Sequence, residues 1–203
     1  MKKTIFVYLM ALCASLLMAC PSQAKTVKPD KPVDPNMGVL LLSATTDSFG
    51  NLDEVWYYYR LKGSDDKKSL DTYGSHIFSR PDDFPEDENK LGRLLATSLE
   101  PGEYELFDWK ILFKQGFGTL TVTPKQAAKV LSFTIYPGKI TYIGNFHVDS
   151  IKGKNIFGLS VAAGGFPVVA DKSAEDMPLL KTKYPNLQDW PVEISVPDVK
   201  IWF

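Results

Sequence analysis

Ile135-Tyr136-Pro137-Gly138-Lys139-Ile140-Thr141-Tyr142-Ile143-Gly144-Asn145-Phe146-His147-Val148 places a Pro-Gly pair ahead of a long apolar alternation. Proline fixes φ at the first central position of a turn and glycine accepts positive φ at the second, as a type II turn requires. Beyond the turn, Ile140, Tyr142, Gly144, Phe146 and Val148 alternate with Lys139, Thr141, Ile143, Asn145 and His147, the period of a half-buried strand. Leu99-Glu100-Pro101-Gly102-Glu103-Tyr104 repeats the frame. After it, Tyr104 and Leu106 share one face, with Glu103 and Glu105 on the other.

Outward from these turns the apolar residues are spaced for strands. Residues 39–45, 55–61, 91–99, 103–113, 118–123, 130–136, 140–148, 156–162 and 192–203 each read as a strand, separated by turn signals. That succession predicts a mainly β chain folded as an antiparallel β-sandwich or barrel. One short C-terminal helix is expected. Ser173 with Asp176 resembles a capping box, Met177, Leu180 and Tyr184 share a face, and Pro185 stops the helix. Pro178 is acceptable only in the first turn, which keeps this helix short.

The first Pro-Gly turn is similar to the Pro-Gly-x-Tyr turn of prealbumin-like sandwiches in bacterial surface and carboxypeptidase-regulatory domains. The second, from Phe133 to Gly144, resembles a stretch of small lipoprotein domains of unknown function. The resemblance spans roughly residues 90–150 and implies a fold and an address. It supplies no catalytic residue, and a shared fold alone says little about activity.

The chain opens with Lys2 and Lys3, then an apolar run from Ile5 to Met18, then Ala19-Cys20. This is the layout of an export signal, too short for a membrane span. The segment resembles the lipobox of bacterial lipoproteins, in which the cysteine becomes residue one and carries acyl chains such as palmitate. Lipidation at Cys20 would then anchor the protein to a membrane, facing the periplasm, with inner or outer membrane left open by Pro21. Ser22-Gln23-Ala24 offers a rival cut before Lys25 that would release a soluble periplasmic protein. Residues 1–19 are thus the expected signal, 20–37 a Pro-rich tether and 38–203 a single sandwich domain. The tether holds Pro21, Pro29, Pro32 and Pro35 among lysines and aspartates, which favours extended chain. Lys25, Lys28 and Lys31 within it can meet anionic head groups.

Composition narrows the function classes. Taking 19 residues from 203 leaves 184, enough for one well-buried core. The leader carries two lysines and no acids, so its removal takes the net charge from −1 to −3. No basic run marks a nucleic-acid partner. Cys13 and Cys20 are the only cysteines, so the folded part has no disulfide and no thiolate ligand. With two histidines, His76 and His147, a multi-histidine metal site is not expected, and no cofactor is. Stability must come from apolar burial, for which 44% hydrophobic and 12% aromatic content suffice.

Four constellations could carry chemistry. Glu103 and Glu105 form a carboxylate pair on one strand face, with no apolar pocket in view to raise a pKa. His147 and Asp149 share a face, without a nucleophile elbow for a serine. Asp82, Asp83, Glu86, Asp87 and Glu88 lack the spacing of a calcium loop. Trp56-Tyr57-Tyr58-Tyr59-Arg60 sends Tyr57 and Tyr59 to one face and Trp56, Tyr58 and Arg60 to the other, as core plus covered surface or as core plus ligand platform. Trp190, Trp202 and Phe203 must bury something for the terminal segment to stay docked. No catalytic residue is assigned. The favoured reading is a lipid-anchored, non-enzymatic envelope lipoprotein that binds or braces another envelope component. The second is a glycan- or peptide-binding module built on Trp56, Tyr58 and Arg60.

Overall fold

A computed structural model describes residues 24–47, 52–71, 82–84, 90–115 and 118–203. The strands, in chain order, are β1 (Lys25–Thr26), β2 (Gly38–Asp47), β3 (Leu52–Leu61), β4 (Lys68–Asp71), β5 (Lys90–Leu99) and β6 (Gly102–Gln115). They continue as β7 (Gly118–Val122), β8 (Leu131–Ile135), β9 (Ile140–Lys154), β10 (Ser160–Ala170) and, after helix α1 (Ser173–Lys183), β11 (Val192–Ile194). One sheet runs β1-β5-β2-β9-β10, with β11 also on β9. The other runs β4-β3-β6-β7, with β8 also on β6. The protein is mainly β, in two sheets, with a helix over one of them.

The inner faces of the sheets supply one apolar cluster. Leu40, Leu42, Ile143 and Phe146 from the first sheet meet Val55, Tyr57, Leu106 and Ile111 from the second. A second cluster lies on the outer face of the first sheet, where Val39, Leu41, Leu94, Ile140 and Tyr142 pack against Leu180, Tyr184 and Leu187. Each fully buried Leu, Ile or Phe contributes roughly 1.5–3 kcal/mol. The central strands β2 and β9 are therefore buried on both faces over most of their length.

Several expectations are revised. The sheets are not wholly antiparallel, since β9 pairs in parallel with both β2 and β11. The alternation after Ile140 is broken, because Gly144 takes φ +107° where the β2–β9 register shifts. Ile140 and Tyr142 consequently face the helix, whereas Phe146 and Val148 face the other sheet. Gly138 has the positive φ of its expected turn, at +65°, but Gly102 does not; it opens β6, and the Tyr104 hydroxyl reaches back to the Glu100 carbonyl at 3.0 Å. The helix lacks the Ser173 cap. Asp171 accepts from the Ser173 N–H at 2.9 Å instead. Pro178 sits in the second turn, where the bond it cannot make would serve the exposed Ala174. The segment expected as a strand at 156–162 is a turn followed by the longer β10, and of 192–203 only Val192–Ile194 and a bridge from Ile201 to Val168 are strand-like.

The stretch expected as an extended tether belongs to the folded body from Ala24 onward. Lys25 and Thr26 pair with Ser98 and Thr97, and Val27 is buried in the second cluster. Asn186 ties down the Lys28 and Lys31 carbonyls at 3.1 and 2.6 Å. Prolines remove only their own donors, so the residues between them remain free to dock. Cys20 and the export signal lie outside the described residues.

Burial of tyrosines gives the fold an alkaline limit. Tyr184 donates to the Leu94 carbonyl at 3.2 Å, and burial, assisted by the charge of Asp83, pushes its hydroxyl up to about 12. Tyr142 is raised further, first by burial and then by its bond to Asp176. Below pH 10 these phenols are protonated in both states and their contribution is complete. Above it the unfolded chain releases protons that the folded chain retains, so stability falls as pH rises toward 12. The Tyr184 difference is worth on the order of 3 kcal/mol. Urea unfolding at pH 8 and near pH 12 should show a smaller alkaline loss for Tyr184→Phe than for wild type; equal losses would contradict this assignment.

Candidate functional site

Strand β3 separates its rings as the alternation predicts. Tyr57 and Tyr59 are 0% and 1% exposed and belong to the core, whereas Trp56, Tyr58 and Arg60 lie half-buried on the outer face of the second sheet. Cations from β6, from the residue before β4 and from β3 itself lie over the rings of this face. The Lys110 ammonium is 3.8 Å from the Trp56 ring centre and the Lys67 ammonium 3.6 Å from that of Tyr58. Arg60 lies 4.7 Å over Phe107, which alternates outward after Leu106; the register shift opposite Tyr58 and Tyr59 then turns Trp109 into the core. Arg60 also donates to Glu105 at 3.1 Å, and Lys67 pairs with Asp108 at 3.5 Å. The result is a face of Trp56, Tyr58 and Phe107 under three cations. Such pairs are worth about 0.5–1 kcal/mol at exposed sites, weak enough for a ligand to displace. An anionic sugar or an acidic peptide could take the cations and stack on the rings in one step.

The other constellations are committed elsewhere. Glu103 pairs with Lys62 at 2.7 Å, and that hydrogen bond holds its carboxyl below the ordinary glutamate range. Glu105 is held by Arg60. A glycosidase acid needs the opposite shift. His147 has Thr45 at 2.9 Å on one ring nitrogen and Asp149 at 3.5 Å on the other. Asp82 accepts from the Gly92 and Phe84 N–H groups, and Asp83 from Leu94 and Lys183, so both anchor a loop to β5. Glu86, Asp87 and Glu88 lie outside the described residues. Among the described residues no three carboxylates or histidines gather as for a metal.

A buried polar chain was not anticipated. Asp176, 0% exposed, accepts from the Ser43 hydroxyl at 2.5 Å and the Tyr142 hydroxyl at 2.6 Å. Asn145 donates to Ser43 at 2.8 Å and to Thr45 at 3.0 Å, which leads on to His147. Ser43 is fully buried, and this polar chain fastens the helix to the sheet. A serine within the apolar run Leu40-Leu41-Leu42-Ser43 was its one sequence signal. The aromatic face lies half-buried on the outside of the second sheet. Its exposure predicts that Trp56→Ala lowers urea stability by about 1 kcal/mol or less, against about 3–5 kcal/mol for Tyr57→Ala. Equal losses would make Trp56 a core residue.

No family model matches the chain, and no curated protein does. Among solved structures, 54% of the chain is similar to part of a leucine-rich repeat protein from Bacteroides thetaiotaomicron, at 14% identity and a TM-score of 0.31. The chain spans 13% of that protein's length, and at this score the likeness bears on neither fold nor function.

Proposed function

We propose that this chain is a lipid-anchored, non-enzymatic component of a bacterial cell envelope, with Cys20 acylated and a prealbumin-like β-sandwich that binds or braces another envelope component from the periplasmic side of its membrane. The observation that supports it most is the disposition of reactive groups. Glu103, Glu105, His147, Asp149, Asp82 and Asp83 each serve a neighbour within the fold, while Trp56, Tyr58 and Phe107 turn outward. The docking of Lys25 agrees with a short anchor, because only five residue steps separate it from Cys20, at most about 17 Å.

The second reading makes the aromatic face a binding site for glycan or peptide. The cations over the rings favour acidic ligands, with Trp56 and Tyr58 stacking and Arg60 pairing. If export ended at Ala24 instead, the product would start at the first residue of β1.

Metabolic labelling with a palmitate analogue tests the anchor. Wild type should take up label and fractionate with membranes, and Cys20→Ala should lose both. An unlabelled wild type whose amino terminus is Lys25 would replace the lipoprotein by a soluble periplasmic protein.

A further inference from the structure

The turn joining β9 to β10 carries the most exposed apolar side chains among the described residues. Ile156, Phe157 and Leu159 are 94%, 79% and 63% exposed, and no folding requirement explains three large apolar groups in water at one tip. The backbone beneath them is already paired. Asn155 accepts from the Phe157 and Leu159 N–H groups through its side chain, at 2.9 and 3.0 Å. Its carbonyl accepts from Gly158, and its N–H donates to Leu159, both at 2.9 Å. Gly158 supplies the positive φ, +77°, that closes the turn. Lys152 and Lys154 flank the tip, both exposed, and no acid lies between Ser150 and Ser160.

We infer that this hairpin tip is an insertion loop for an anionic bilayer surface. Apolar groups enter the acyl boundary while lysines meet the head groups, the arrangement of interfacial membrane anchors. A backbone that has satisfied its own donors loses little on leaving water, which a loop seeking hydrogen bonds from a protein partner would not need. Lys152 and Lys154, both exposed, bring lysine charge to the tip that is complementary to phosphate. Register adds a geometric consequence. Lys25, Ser98, Val39 and Ile140 share one row across the first sheet, and Lys154 lies about 45 Å along β9 from it. The tip therefore stands at the end of the domain opposite the entry of the chain. If Cys20 is acylated as proposed above, the domain has membrane contacts at both ends.

The test uses the exported, processed chain, which has no free thiol besides an introduced one. Phe157→Cys labelled with nitrobenzoxadiazole is mixed with vesicles of phosphatidylcholine, with or without about a third phosphatidylglycerol. Sedimentation with pure phosphatidylcholine reports the acyl anchor and is compared with Cys20→Ala. Emission from the tip reports insertion. The expected result is a blue shift and gain in intensity only on anionic vesicles. It should be weakened by about fivefold for each of Lys152→Gln and Lys154→Gln and be suppressed by high salt. The same label at Thr119→Cys, exposed on β7, should not respond. Unchanged emission at the tip, or equal shifts at both positions, would overturn the inference and leave the tip to a protein partner.

Discussion

Trp202 is where the two sheets are joined. The chain's penultimate residue is 0% exposed, stacked on Tyr57 of the second sheet at 6.1 Å and edge-on to Phe146 of the first at 5.7 Å. Its polar atoms are all used. The indole N–H donates to the Lys129 carbonyl at 2.7 Å, the backbone N–H to Pro167 at 2.9 Å, and its carbonyl accepts from the Trp109 indole at 3.1 Å. A chain without a disulfide must close its sandwich by such packing, and an indole offers large area with one donor to satisfy.

The rest of the architecture follows from what this closure leaves uncovered. With one face of the first sheet sealed against the second, its other face needs the helix, and Asp176 fastens that helix through Ser43 and Tyr142. Lys183, pressed against Asp83 and the Leu94 carbonyl, fixes the helix's far end despite the burial that lowers its proton affinity. The outer face of the second sheet receives no such layer among the described residues, and Lys67, Lys110 and Arg60 lie over its rings. A groove of about 830 Å³ also remains between β7 and β10, lined by Trp109, Leu120, Val122, Ile151, Phe166 and Phe203. Gln115 reaches across to the Ala162 carbonyl and partly bridges it. Among the described residues, apolar groups therefore stay uncovered on the second sheet, at this seam and at the β9–β10 tip.

Legibility in the sequence followed the range of the interaction. Period-two alternation correctly sorted Tyr57 and Tyr59 from Trp56 and Tyr58, because a straight strand obeys it locally. It failed at Gly144 and beyond Phe107, where register shifts exchange the faces and bring Trp109 rather than Asp108 into the core. The docking of Val27 was hidden by its proline-rich surroundings, since its partner Ala96 is far along the chain. The Asp176–Ser43 contact joins residues 133 apart, and neither is unusual in its own neighbourhood. The tip at Ile156 was read as strand because exposed and buried apolar residues look alike in sequence.

The central claim, that apolar packing around Trp202 holds the sheets together without a covalent link, is tested most directly by thermal melting of Trp202→Ala. The removed indole should cost about 3–5 kcal/mol. That corresponds to a melting temperature lower by on the order of 10 °C, reached in one cooperative transition. A melting temperature within about 1 °C of wild type would show that the sandwich closes by other means.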